Sequence, residues 1–281
     1  MDFDSFNNIK WDVIKQKLNS AKTVKSTRRN DGVYYDISVS FDTETTSMYC
    51  GEPKEKFSFM YVWQFGIDGY YCYGRHWSEF IKLLLKLKEY GKLSTERKLI
   101  IYIHNLSFEF QFFRKLIPWN SVFAVDSREP IKALSNWGVE FRDSLILSGY
   151  KLANVAKNLT SHKIPKMVGD LDYSKIRNTK TTFTDKELGY MLNDVRILIA
   201  YIDEQREQYG DIAHIPLTNT GRVRQLVRKN CFGKTWNTRS KYLEIMNILQ
   251  LTKSDYIESK KAFAGGFTHA NPNKVGGTFK D

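Results

Sequence analysis

Asp42 and Glu44, two positions apart in FDTETT, are the first residues along the chain that could act on a substrate. They close a run of alternating and β-branched residues, YYDISVSFDTE, that predicts a strand from about Tyr34. Side chains two apart on a strand share a face, so the two carboxylates could share a cation. Glu109 follows a second predicted strand, in HNLSFEF, with Asn105 four positions before it. Tyr190 and Asp194 are stacked on one face of a predicted helix, beside its apolar stripe, where a carboxylate needs a partner. Singly, each has an ordinary explanation: a surface acidic pair, a partly buried aromatic, a helix-surface charge. The ordered set is less ordinary. Four clustered carboxylates repel one another unless cations lie between them, and all-oxygen ligands select hard ions such as Mg²⁺ or Mn²⁺. Two such ions about 3.5–4 Å apart are a standard device for phosphodiester hydrolysis.

The elements that must position these residues are legible around them. FSFMYVWQFGI and YYCYG read as strands joined by a turn at Asp68-Gly69, and a helix is expected from about Ser78 to Tyr90 with Gly91 as its stop. KLIIYIHN, residues 98–105, has the unbroken apolar run of a central strand buried on both faces. A helix is expected from near Ser107, and GVEFRDSL, residues 138–145, reads as a further strand. Thr184-Asp-Lys-Glu187 is a capping box that opens a helix reaching about Gln208, with Leu188, Leu192, Val195 and Ile199 as its apolar stripe. Strands feeding helices, three antiparallel and two parallel, predict an α/β architecture: a mixed five-stranded sheet flanked by helices. The expected organisation is a basic N-terminal extension over 1–30, a main domain over 31–208 and a basic, mostly helical appendage over 209–281.

Composition narrows the partner. The chain has 281 residues and a net charge of +12, which favours a polyanion, with nucleic acid ahead of an anionic membrane surface. A hydrophobic fraction of 42%, including 14% aromatic residues, excludes a disordered chain, and no stretch approaches the roughly 20 apolar residues of a membrane span. The basic residues are not laid along one amphipathic helix, so no membrane partner is expected. The first residues lack a secretory signal, and Cys50, Cys72 and Cys231 form no metal or disulfide pattern; a cytoplasmic protein with reduced thiols is expected, in the host cytoplasm if phage-encoded.

FDTETT, HNLSFEF and YMLND resemble the three motifs of DEDD-type 3′–5′ exonucleases with a ribonuclease-H-like fold, of the subtype with Tyr in the third motif. More narrowly, residues 36–270 are similar to the N-terminal exonuclease domain of protein-primed family B DNA polymerases of small phages and adenoviruses. RDSL, ending at Ser144 and Leu145, resembles that family's motif for single-stranded DNA and the terminal protein. GDLDY, ending at Tyr173, resembles its block before the third motif, and AFAGGF, with Gly265 and Gly266, resembles its exonuclease–polymerase junction.

The resemblance implies a proofreading 3′–5′ exodeoxyribonuclease. Asp42, Glu44, Glu109 and Asp194 would hold two Mg²⁺ or Mn²⁺ ions, and Tyr190 would orient the attacking water. Thr45, Asn105 and Phe108 would hold the 3′ end of single-stranded DNA, with Ser144, Leu145 and Tyr173 extending the channel. Lys166, favoured over Lys163 and Lys175, would offset charge on the scissile phosphate. Arg222, Arg224 and Arg228 would touch backbone phosphates. Two departures stand out: Glu109 replaces the commoner Asp, and Phe263 replaces the junction Tyr. The family's polymerase motifs do not follow before Asp281, so a split polymerase, a fragment, or an exonuclease serving a polymerase on a separate chain is expected. The alternative is a weakly catalytic or non-catalytic module that binds single-stranded DNA or the terminal protein, and an RNA-trimming exonuclease would share the same metals.

Overall fold

The computed structural model describes residues 3–27, 32–52, 55–126, 128–165, 167, 171–172, 175–231 and 236–262. Ten strands occur among them: β1 (Asp4–Ser5), β2 (Thr23–Val24), β3 (Val33–Tyr35), β4 (Val39–Cys50), β5 (Glu55–Ile67), β6 (Tyr70–Gly74), β7 (Arg97–Ile103), β8 (Trp119–Ala124), β9 (Pro130–Ser135) and β10 (Val139–Asp143). The helices are α1 (Trp11–Ser20), α2 (Trp77–Gly91), α3 (Leu106–Phe113), α4 (Ser144–Ser148), α5 (Leu152–Asn158), α6 (Asp185–Tyr209), α7 (Asn219–Cys231), α8 (Trp236–Ile248) and α9 (Lys253–Ala262).

The sheet runs β1-β6-β5-β4-β7-β10-β9-β8, with β3 also pairing β7 and β2 pairing β3. Its centre is the expected mixed set: β4, β5 and β6 pair antiparallel, while β7 runs parallel to both β4 and β10. The Asp68-Gly69 turn between β5 and β6 has φ of 43° and 80°, the paired left-handed geometry of a tight hairpin. β7 is buried on both faces as its apolar run requires. Leu99, Ile101 and Ile103 point into one core with Phe41, Phe80, Phe113 and Phe141, and Ile100 and Tyr102 into a second with Ile197, Leu198 and Ile202 of α6. The sheet thus separates an α1–α2–α3 layer from an α5–α6 layer.

Several boundaries differ from expectation. Residues 1–30 are not only a leader: Ile14 and Leu18 of α1 are fully buried in the core with α2, and β1 adds to the edge of β6. The left-handed stop of α2 falls on Lys92, with φ of 46°, and not on Gly91. A Cβ at Gly91 would come within 2.8 Å of Leu93 Cδ2, so that glycine serves close packing. The strand expected over 138–145 ends at Asp143, and Ser144 and Leu145 open α4. The β8–β9 hairpin extends the sheet beyond the five expected strands. Two units divide the chain, Met1–Val223 and Arg224–Asp281, and the described part of the second is helical.

Candidate active site

The three motifs meet at one end of the central strands. Asp42 and Glu44 lie on the face of β4 turned to α6, and one carboxylate oxygen from each of Asp42, Glu44 and Asp194 falls within 4.8 Å of the others. Glu44 and Asp194 are buried and Asp42 is half-buried. Local chemistry fixes this arrangement. Ser40, two residues before Asp42 on the same face, donates its hydroxyl to the Val195 carbonyl at 3.0 Å, pinning β4 to α6 beside Asp194. The capping box works as read from sequence: the Glu187 N–H donates to Thr184 Oγ1 at 3.2 Å and the Thr184 N–H to Glu187 Oε2 at 2.9 Å. The β4–β5 register shifts between Glu44 and Thr45, where Tyr61 of β5 is the extra residue of a bulge opposite the end of the cluster.

Glu109 stands beside this trio without being within that shared distance. It is 4% exposed, and the Thr43 hydroxyl donates to its carboxylate. Burial first, and then the charges of Asp42 and Glu44, push its pKa well above the ordinary carboxylate range, against the lowering effect of Thr43. Divalent cations would relieve that electrostatic state.

α3 is keyed to the site by Asp143, which accepts from the Leu106 N–H at 2.7 Å and from the Ile146 N–H at 2.9 Å, so one carboxylate caps both α3 and α4. Asn105, exposed in the left-handed region with φ of 80°, makes the sharp entry from β7 into α3. Phe108 is 43% exposed one turn later, a ring open to solvent close in sequence to Glu109. Tyr190 is half-buried one turn before Asp194, and Thr45 is half-buried past the bulge. Ser144 differs from expectation: it is fully buried, its hydroxyl 3.0 Å from His104 Nδ1 and 3.2 Å from the Ile103 carbonyl, so it holds the end of β7. Leu145 is half-buried beside it. Lys166, Tyr173, Gly265 and Gly266 lie outside the described residues. Arg222 is half-buried and Arg224 and Arg228 are exposed, all on α7.

Sequence reasoning missed four supporting residues. Gln64 pairs with Asp42 across β4 and β5, which puts both side chains on one face; Gln64 is fully buried and its Nε2 and Oε1 have no hydrogen-bond partner. Thr43 holds Glu109. Asn193 accepts from the Met167 N–H and donates to the Pro165 carbonyl, both at 3.0 Å, fastening the segment before GDLDY to α6. Arg177, 3% exposed, donates to Glu187 at 2.7 Å and to the Asp172 carbonyl, while its own N–H donates to Thr46 at 3.2 Å. It ties the segment after GDLDY to β4 and α6. Only the capping box was visible locally; most of the other contacts, those of Thr43 with Glu109, of Asn193 and of the Arg177 N–H with Thr46, join residues far apart in sequence.

This sheet order, with helices on both faces and acidic residues at the ends of the central strands, is a ribonuclease-H-like α/β fold. Phi29 DNA polymerase in its ternary complex with primer-template DNA and incoming nucleotides is similar with a TM-score of 0.55 and 19% identity over 85% of this chain and 40% of that chain. Phi29 DNA polymerase complexed with single-stranded DNA is similar with a TM-score of 0.50 and 20% identity over 63% of this chain and 32% of that one. The EXO domain of Aedes aegypti Nibbler gives a TM-score of 0.43 and 13% identity over 80% of this chain and 94% of that domain. The likeness is one of fold, and the chain spans about 40% of the length of the phi29 polymerase. No protein-family model and no curated protein matches the chain.

Proposed function

We propose that the chain is the 3′–5′ exonuclease portion of a protein-primed family B DNA polymerase, removing 3′-terminal nucleotides from single-stranded DNA in a proofreading role. The observation that carries this reading is the convergence of Asp42, Glu44 and Asp194, from two motifs about 150 residues apart, to within 4.8 Å. The donors are all carboxylate oxygens. At metal–oxygen distances of about 2.0–2.6 Å, oxygens of one coordination shell lie up to about 4–5 Å apart, which fits a hard divalent ion. Asp42, Glu44, Asp194 and Glu109 would hold two Mg²⁺ or Mn²⁺ ions. Bound there, the ions would supply an activated water and stabilisation of the leaving oxygen.

The protein's own groups do the rest. Tyr190, beside Asp194, orients the attacking water through its hydroxyl. Asn105 and Thr45 offer hydrogen bonds to the terminal sugar, and the Phe108 ring offers a stacking surface to the terminal base. An end held this way must already be unpaired, which favours single strands and mismatched ends. Leu145, Lys166 and Tyr173 would extend the channel, and Gly265 and Gly266 the junction. Arg222, Arg224 and Arg228 would contact phosphates, and the terminal protein would be a further partner.

Matched DNA and RNA oligonucleotides, labelled at either end and incubated with Mg²⁺, test the reading. Mononucleotides released from the 3′ end of DNA, and lost in Asp42→Ala with DNA binding retained, are expected. Faster digestion of RNA would assign the same site to RNA trimming, and binding without release in the unaltered protein would leave a binding module.

A further inference from the structure

α6 borders a groove that the exonuclease reading does not use. Its volume is about 470 Å³, and its walls come from the Asp68-Gly69 turn, the body of α6 and residues 161–164. Arg196 stands on one wall and Lys163 on another, both exposed to solvent. At ~100° per helical residue, Arg196 lies about 200° round α6 from Asp194, so the groove and the carboxylate cluster occupy different sides of one helix. The wall that carries Lys163 is fastened to α6 at both ends. Glu204 accepts from the N–H groups of Thr160, Ser161 and His162 at 2.6, 2.7 and 3.1 Å, and Asn193 accepts from the Met167 N–H and donates to the Pro165 carbonyl, both at 3.0 Å. Arg196 falls between Asn193 and Glu204 on α6, and Lys163 falls between their two sets of partners, so both cations are carried by tethered backbone. Tyr71 and Ile199 close the groove together because residue 66 is glycine: a Cβ there would come within 2.9 Å of Tyr71 Cδ1 and 2.8 Å of Ile199 Cδ1.

The charges of the wall specify an anion. It holds two carboxylates, and each is already paired: Asp68 with Lys17 at 3.2 Å, and Asp203 with Arg206 at 3.1 Å and with the Ser38 hydroxyl at 2.6 Å. His162 pairs with Glu207 at 2.8 Å. Arg196 adjoins the Tyr71 phenol, which burial keeps protonated at neutral pH against the opposing effect of that guanidinium. Neither Arg196 nor Lys163 has an ion-pair partner among the described residues. The groove therefore keeps two uncompensated cations, with the exposed Ser161 hydroxyl beside them. A guanidinium fork can bond two phosphate oxygens at once, and an ammonium adds a compact positive charge. Cations at the solvent edge of an open groove suit a passing backbone better than a sequestered ion.

We propose that this groove is a phosphate subsite apart from the cleavage site, in which Arg196 and Lys163 hold the backbone of a bound single strand several nucleotides from its 3′ end. The choice of strand rests on the single-stranded DNA reading given above, and cleavage plays no part in it. Contacts of this kind add affinity without base specificity.

Fluorescence anisotropy of the whole chain with labelled oligothymidylates of about 4 and about 16 nucleotides tests the subsite, over a salt series and in EDTA so that no strand is shortened. The double variant Arg196→Gln, Lys163→Gln is expected to bind the long strand about tenfold more weakly, with a log–log salt slope shallower by about 1.4 for the two lost contacts. It should bind the short strand as the unaltered protein does, which also shows that the fold is intact. Equal long-strand affinity and equal slope in the two proteins would overturn the subsite and leave the exonuclease reading standing. Failure of the unaltered protein to bind either strand would overturn both. An equal loss at both lengths would return the two cations to the cleavage site, and inorganic phosphate that displaces the long strand at equal phosphate concentration would give the groove to a free anion; either result contradicts the proposal.

Discussion

Gln64 shows what one side chain can cost and contribute. An amide enclosed without partners costs roughly 1–3 kcal/mol by mutational measure, and a leucine of similar size would carry no such penalty. Gln64 nevertheless faces Asp42 across the β4–β5 pair. Gln64→Leu should therefore stabilise the metal-free protein by roughly 1–3 kcal/mol in urea unfolding while weakening divalent-ion binding several-fold. Equal ion affinity in the two proteins would show the amide to be idle. The convergence of Asp42, Glu44 and Asp194 was legible in the sequence because spacing reports which face of a strand or helix a side chain occupies, and that of Glu109 because it follows a strand that reads as buried on both faces. Gln64 was not: within VWQFG it is one polar residue in an apolar run, and only the strand register places it beside Asp42.

The central strands and α6 were legible for the same reason, since a doubly buried strand and a capping box are local patterns. What joins the elements was not, because it depends on contacts across large sequence separations. Glu204 is one such tether between α6 and residues 160–162. Burial would raise its pKa, but the N–H groups of His162, Thr160 and Ser161 outweigh burial and hold it below the ordinary carboxylate range. A depressed native pKa means that the tether is at full strength above the unfolded carboxylate range near pH ~4.3 and is lost as pH falls through the lower native value. Protection of the Thr160 and Ser161 amides, taken relative to the intrinsic exchange rate at each pH, should consequently fall over that acidic window. In Glu204→Leu the same amides should lack that protection at every pH; protection that persists in the variant would refute the tether. The β8–β9 hairpin escaped sequence reading as well. β8 is exposed along most of its length, so it lacks the apolar alternation that marks a half-buried strand.

Over the whole molecule, the net charge of +12 is the property that bears on partners. If about four cations meet phosphates, among them the α7 arginines, the logarithm of the single-strand binding constant should fall with the logarithm of salt concentration with a slope of about −3. A slope near zero in a filter-binding series would remove phosphate contact from the account. The ribonuclease-H-like class was legible from strand order and motif order together, whereas α1 was legible only as a short helix with Trp11, Ile14 and Leu18 on one face, and its place in the main core depends on contacts with α2 far along the chain.

The central claim is that carboxylates scattered along the chain form one divalent-ion site. Calorimetric titration with Mn²⁺ tests it most directly. The unaltered protein should bind the ion saturably, and Asp42→Asn and Asp194→Asn, each keeping side-chain shape while removing one negative charge, should each weaken binding at least tenfold. Equal binding by all three proteins, or none by the unaltered one, would contradict the claim.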